Sequence, residues 1–104
     1  DDGFRYLQAL ETIRRIEALE TAWIVFGDFN DVPGSRTMKA FRKLGRDAKK
    51  PDDSAATFPA DQPTIEIDYI LTGPPSAWVP ASASVIPESS ASDHRPVMSD
   101  LFLE

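Results

Sequence analysis

The sequence has 104 residues, 41% of them hydrophobic, which is enough for one small core and too little for two. With 17 acidic against 11 basic side chains the formal net charge is -6, so the surface repels a nucleic-acid backbone, whose non-specific binding rests on Lys and Arg clusters. There is no cysteine, which excludes disulfides, thiolate zinc sites and cysteine nucleophiles and leaves only oxygen and nitrogen ligands for a metal. No apolar run approaches the roughly 18 residues of a membrane span, so no span is expected. The opening Asp1-Asp2-Gly3 lacks the basic-then-apolar order of a signal peptide, so a soluble segment with no targeting signal and no stated compartment is expected.

Along the chain, residues 4–20 read as an amphipathic helix. Tyr6, Ala9, Leu10, Ile13 and Ile16 fall on one stripe, while Phe4 and Leu19 drift off it. Residues 22–26 form a short continuous apolar run closed by Gly27, the pattern of a strand buried on both faces, with Asp28 just past its end. Val32-Pro33-Gly34-Ser35 is turn chemistry. Ser35 caps a helix whose apolar side is Met38, Phe41 and Leu44 and whose stop is Gly45. Residues 46–64 read as an unusually long loop. Residues 65–71 alternate Ile65, Ile67, Tyr69 and Leu71 with Glu66, Asp68 and Ile70, a strand of period two. After Gly73-Pro74-Pro75, residues 78–86 make a weaker strand interrupted by Pro80, residues 87–96 a polar turn, and residues 97–103 a last strand.

The chemistry lies where these elements end. Asp28 and Asn30 stand two apart after a buried strand, so a turn can point both short polar side chains into a crevice at the sheet's end, where a hard cation or a phosphate would suit them. An Asx turn satisfying its own backbone is the alternative. Asp68 shares its face with Ile70. It is either a half-buried carboxylate needing a cation or donor, for which a histidine is a natural partner, or a surface Asp on an edge strand. Asp93-His94 contains the only histidine and is equally open when taken alone.

Taken together, Gly27-Asp28-Phe29-Asn30, Ile67-Asp68-Tyr69-Ile70-Leu71 and Ser92-Asp93-His94-Arg95-Pro96-Val97 resemble, in order and setting, the three C-terminal motifs of the endonuclease/exonuclease/phosphatase superfamily. Arg5 and Gln8-Ala9 resemble that family's usual helix start, and Thr57 with Phe58-Pro59-Ala60 resembles the loop before the third motif in bacterial members of unknown substrate. The resemblance implies an α+β fold: half of a four-layer α/β/β/α sandwich, with a mainly antiparallel sheet and two helices. Residues 1–104 would then form a single partial domain, the C-terminal portion of a longer enzyme. It also implies catalytic roles for His94, Asp28, Asn30 and Asp68. His94 would contact the scissile phosphate, Asp68 would orient the His94 ring, Asp28 would ligate metal or deprotonate water, and Asn30 would hold a phosphate oxygen. Asp28, Asn30, Asp93 and His94 would be the metal-binding residues, and a carboxylate-rich shell suits Mg2+ or Mn2+.

The family's first half supplies an early Asn, a metal-binding Glu and a further His, Tyr or Asp, and nothing before Asp28 matches them. Glu66 stands where many relatives carry a basic residue, which leaves no contact from that position to an anionic substrate. The expected function is therefore part of a metal-dependent hydrolase acting on phosphomonoesters or phosphodiesters, the fragment alone being inactive. The alternative is a non-catalytic structural or interaction remnant of the same fold. The expected partners are a phosphate-ester substrate in the parent enzyme and either the missing N-terminal half or a second copy, with no strong nucleic-acid binding.

Overall fold

The computed structural model describes residues 2–104. Its first element, helix α1 (Asp2–Glu17), turns Ala9 and Ile16 into the interior, with Ile13 partly covered. The helix ends three residues before the expected residue 20, because Leu19 N–H closes back onto Ile16 O and Leu19 itself is exposed. Leu10, expected on the buried stripe, is exposed as well.

Strand β1 (Trp23–Asp28) pairs antiparallel with β3 (Asp68–Gly73) from Trp23 opposite Gly73 to Asp28 opposite Asp68. The two-residue strand β2 (Arg46–Asp47) joins the other edge of β3, giving the order β1-β3-β2. Helix α2 (Arg36–Arg42) lies between β1 and β2 in sequence. Ser35 caps it as expected, its Oγ accepting from Met38 N at 3.1 Å. Strand alternation then sorts the sheet. Trp23, Tyr69 and Leu71 face the helices and form the core with Ala9, Ile16, Met38 and Phe41.

The opposite face is open along β1, with Ile24 44% and Phe26 75% exposed, whereas on β3 Thr72 is buried and Ile70 half-buried. Both faces of β1 are apolar, but the two helices cover only one.

Three further boundaries differ from expectation. The long loop 46–64 contains β2, a 3-10 turn (Asp52–Ser54) and a bridge between Phe58 and Ile65. Because Ile65 is engaged in that bridge, β3 starts at Asp68 rather than residue 65 and continues to Gly73. The two C-terminal strands are short, β4 (Ala83–Val85) and β5 (Val97–Ser99), and pair with each other in a separate antiparallel ribbon. Pro80 has no N–H for a ladder, so residue 78 is tied in by a single bridge to Leu103 instead of by a continuous strand. The architecture is α+β, with two α-helices and antiparallel sheets. Among the described residues no helix is long and apolar enough to cross a membrane.

Two glycines make room for the largest core ring. A Cβ built on Gly73 would overlap the six-membered ring of Trp23, and one on Gly45 would meet both that ring and the carbonyl of Thr72. Gly73→Ala is expected to destabilise the fold by about 1–3 kcal/mol through overpacking. A shift of the urea midpoint at unchanged slope measures it, and an unshifted midpoint would mean the ring has room that the packing does not show.

Candidate functional site

The site forms where β1 and β3 end. Gly27 adopts φ +129°, a conformation that favours glycine, and Asn30 lies at φ 52°, a left-handed value that Asn tolerates better than most residues. Between them the chain leaves the ladder. Asn30 N–H donates to Asp28 Oδ1 at 2.7 Å, so the Asx turn weighed in the sequence is present, and it engages only one of the two carboxylate oxygens.

Across the ladder from Asp28 stands Asp68, so two carboxylates meet as a direct cross-strand pair. Like charges in that position are destabilising, and the His94 ring relieves the conflict. Its Nδ1 lies 2.8 Å from Asp68 Oδ2, and its Nε2 lies 3.6 Å from Asp28 Oδ2, an ion-pair distance rather than a hydrogen bond. His94 reaches this position because the turn after β4 is tied down. Its own N–H donates to Ser92 Oγ, Ala60 N–H donates to Asp93 O, and Arg95 holds the carbonyls of Thr57 through its backbone and of Ala60 through its guanidinium. The Phe58 ring lies 4.9 Å from the imidazole, tilted by 49°.

The hydrogen bond to Asp68 raises the proton affinity of His94 above its ordinary value; partial burial opposes this, and the charges of Asp68, Asp28 and Asp93 add to it. Its folded-state pKa is thus above the reference value of 6.5. The stability this contributes is complete below the unfolded-state pKa and is lost as pH rises through the folded-state value. Urea midpoints measured from pH 5.5 to 9 are expected to decline across that window, and His94→Gln should flatten the decline. An equal decline in the variant would assign the effect to another group.

All five expected site residues lie near this end of the sheet, though not in one cluster. Asp28, Asp68 and His94 each offer a ligand atom within 4.8 Å of the others. Asp68 and His94 line a cavity of about 500 Å³ that is walled by Phe26, Ile70 and Val97. Asp28 and Asn30 line a neighbouring groove of about 350 Å³ on the α1 side. Asp93 is exposed, lines neither space, and its carboxylate accepts from Ser92 Oγ at 3.4 Å.

Glu66, the acidic residue that replaces an expected base, turns away into an ion pair with the buried Lys50, Nζ to Oε2 2.7 Å. The Lys50 ammonium also lies 4.6 Å from the centre of the Tyr69 ring. The Tyr69 hydroxyl reaches the carbonyls of both Asp31 and Glu66 at 2.9 Å, linking the loop after Asn30 to the entry of β3. Burial, with nearby acidic charge, raises the Tyr69 pKa, so the phenol remains a donor.

Sequence reasoning gave no role to Thr57, whose hydroxyl donates to Asp68 Oδ2 at 2.6 Å. Its only signal was its place beside Phe58-Pro59-Ala60, since no spacing rule joins a loop threonine to a carboxylate eleven residues later.

The model of the Endonuclease/Exonuclease/phosphatase family matches residues 1–94. No match to a curated protein is found. Among solved structures, a functionally unknown conserved protein from Enterococcus faecalis aligns with 100% of the chain and 46% of its own length, at 20% identity and TM-score 0.81. An endonuclease/exonuclease/phosphatase from Bacteroides vulgatus aligns with 96% of the chain and 44% of its own length, at 27% identity and TM-score 0.77. A mannosyl-6-phosphatase from Bacteroides thetaiotaomicron aligns with 94% of the chain and 45% of its own length, at 20% identity and TM-score 0.75. The chain thus spans less than half the length of each of these structures.

Proposed function

Because the chain belongs to the endonuclease/exonuclease/phosphatase family, we propose that the protein built around it is a divalent-metal-dependent hydrolase that cleaves phosphomonoesters or phosphodiesters by in-line attack of an activated water. One observation carries this reading. Two carboxylates paired across a ladder, Asp28 and Asp68, share a single imidazole at the open end of the sheet. A purely structural site would gain by replacing one carboxylate with a neutral residue, whereas phosphoryl transfer needs both an oriented acid and an uncommitted carboxylate.

In this scheme Asp68 accepts from Nδ1 and holds the ring. The opposite nitrogen, Nε2, carries the proton that His94 retains more strongly than an ordinary histidine and donates it to a phosphate oxygen. Asp28, with Oδ1 committed to Asn30 N–H, keeps Oδ2 to orient water or hold a cation. The Asn30 carboxamide donates to a second phosphate oxygen.

The donor set fits a hard divalent cation in part. Asp28 and Asn30 offer oxygens beside an open groove, and Asp93 offers a solvent-facing carboxylate. His94 ligates through Nε2 only as neutral imidazole, so ligation and phosphate contact exclude each other at that atom. Six or more oxygen ligands are the norm for Mg2+ or Ca2+ sites, and the remainder would come from water, substrate or another segment. Bound there, Mg2+ or Mn2+ would neutralise charge on the transferred phosphoryl group.

On this reading residues 1–104 are a single partial domain, completed in the longer protein by a further segment over the bare sheet face, or in isolation by a second copy. The second reading, a non-catalytic remnant, is favoured by that same bare face, which suits an interaction surface as well as it suits a missing half. Turnover separates the two. The chain alone is expected to show little hydrolysis of aryl phosphate mono- and diesters with Mg2+ or Mn2+, since positioning groups are missing. The longer protein is expected to turn over at least one class and to lose that turnover on metal chelation. An inactive longer protein with an intact fold would favour the remnant.

A further inference from the structure

We infer that Thr57 is a positioning residue for His94, acting through Asp68; this deepens the hydrolase reading and rests on it for its purpose. The Thr57 hydroxyl has one proton to donate and two lone pairs to accept with. Ile67 N–H donates to Thr57 Oγ1 at 3.2 Å, so one lone pair is occupied. The hydroxyl proton then has a single direction, toward Asp68 Oδ2 at 2.6 Å. That same oxygen meets His94 Nδ1 at 2.8 Å. Asp68 Oδ2 is therefore held between two donors, one from the residue 57 loop and one from the residue 94 turn.

The consequence is directional. A carboxylate facing another carboxylate across a ladder is driven to rotate away from it, and rotation of Asp68 would release the imidazole. Thr57 is fully buried and its backbone is fixed at both ends, N–H to Ile65 O and C=O from Arg95 N–H, each at 2.8 Å. It has no freedom to follow such a rotation, so it pins Oδ2 beneath Nδ1. With Nδ1 pinned, Nε2 is the nitrogen left facing Asp28 and the open end of the sheet. Serine could supply the same proton. Valine, of the same shape, could not, and would also leave Ile67 N–H without its acceptor.

The test is nuclear magnetic resonance on the isotopically labelled chain, and it needs no turnover. The His94 Nδ1–H proton is expected to be slow to exchange in the unmodified chain and in Thr57→Ser, and to broaden into the solvent signal in Thr57→Val while the other core amides stay native. A protected Nδ1–H in folded Thr57→Val would overturn the inference. If Thr57→Val does not fold, the unmodified chain still decides: the Thr57 hydroxyl proton is expected to be visible, with a cross-relaxation peak to His94 Nδ1–H. A freely exchanging hydroxyl would overturn the assignment. Failure of the hydrolase reading would appear separately, as a longer protein without turnover whose Nδ1–H is nonetheless protected.

Discussion

His94→Ala in the longer protein is expected to lower kcat about 10²–10⁴-fold, with the larger share of the loss in kcat rather than KM. The expectation follows from where the ring sits. Its Nδ1 side is committed to Asp68, and only Nε2 is free to act on a substrate. An interaction made at a developing charge is worth more in the transition state than in the ground state, so its removal appears in kcat. Asp68→Asn should cost a comparable factor, because a neutral amide removes the charge that keeps the ring cationic and leaves Nε2 a much weaker proton donor. The two losses should not add in the double variant, because both residues act through Nε2. Steady-state kinetics on the three variants provide the check. Full additivity would mean that Asp68 touches substrate on its own account. A KM change with kcat intact would reduce His94 to a binding group.

The parts of the site visible in the sequence are those whose chemistry is local. Asp28 and Asn30 follow an apolar run closed by glycine, and Asp68 sits on an alternating strand. Each could be read from its neighbours because a strand end fixes where the next two side chains go. Ser35 was legible for the same reason, since a cap acts within three residues. Thr57 was not. Its partner is set by how the residue 46–64 loop folds back against β3, a tertiary event with no periodicity to announce it. β2 was missed because Arg46–Asp47 carries no strand pattern and owes its ladder to the free edge of β3. Glu66 departs from the family pattern, and the sequence alone shows only the contact this withdraws. The reason for its acidity is the buried ammonium of Lys50, sixteen residues earlier in that loop.

The isolated chain is expected to self-associate at tens of micromolar, most simply as a two-fold dimer through the sheet face opposite the helices. The driver is uncovered apolar surface. Phe26 is 75% and Ile24 44% exposed on that face of β1. Helices α1 and α2 both pack on the other side through Ala9, Ile16, Met38 and Phe41, and β5 reaches this side only over β3, so Ile24 and Phe26 of β1 stay uncovered. Contiguous apolar patches beyond a few hundred Å² are uncommon on soluble monomers. A second copy presents the same patch, and an isologous contact closes on itself without exposing new surface. The contact should bury about 1,000 Å² or more in total, the threshold above lattice packing. A lysine ammonium at the centre of that contact would be buried without a partner, a cost larger than the surplus that remains once the entropy of association is met. Phe26→Lys should therefore return the chain to a monomer. The substitution leaves the helix-side core untouched, so the melting transition should persist. Sedimentation equilibrium of the two chains measures the outcome. A monomeric parent chain that stays soluble through the same concentrations would mean that this face tolerates water, and the case for a covering segment in the longer protein would weaken with it.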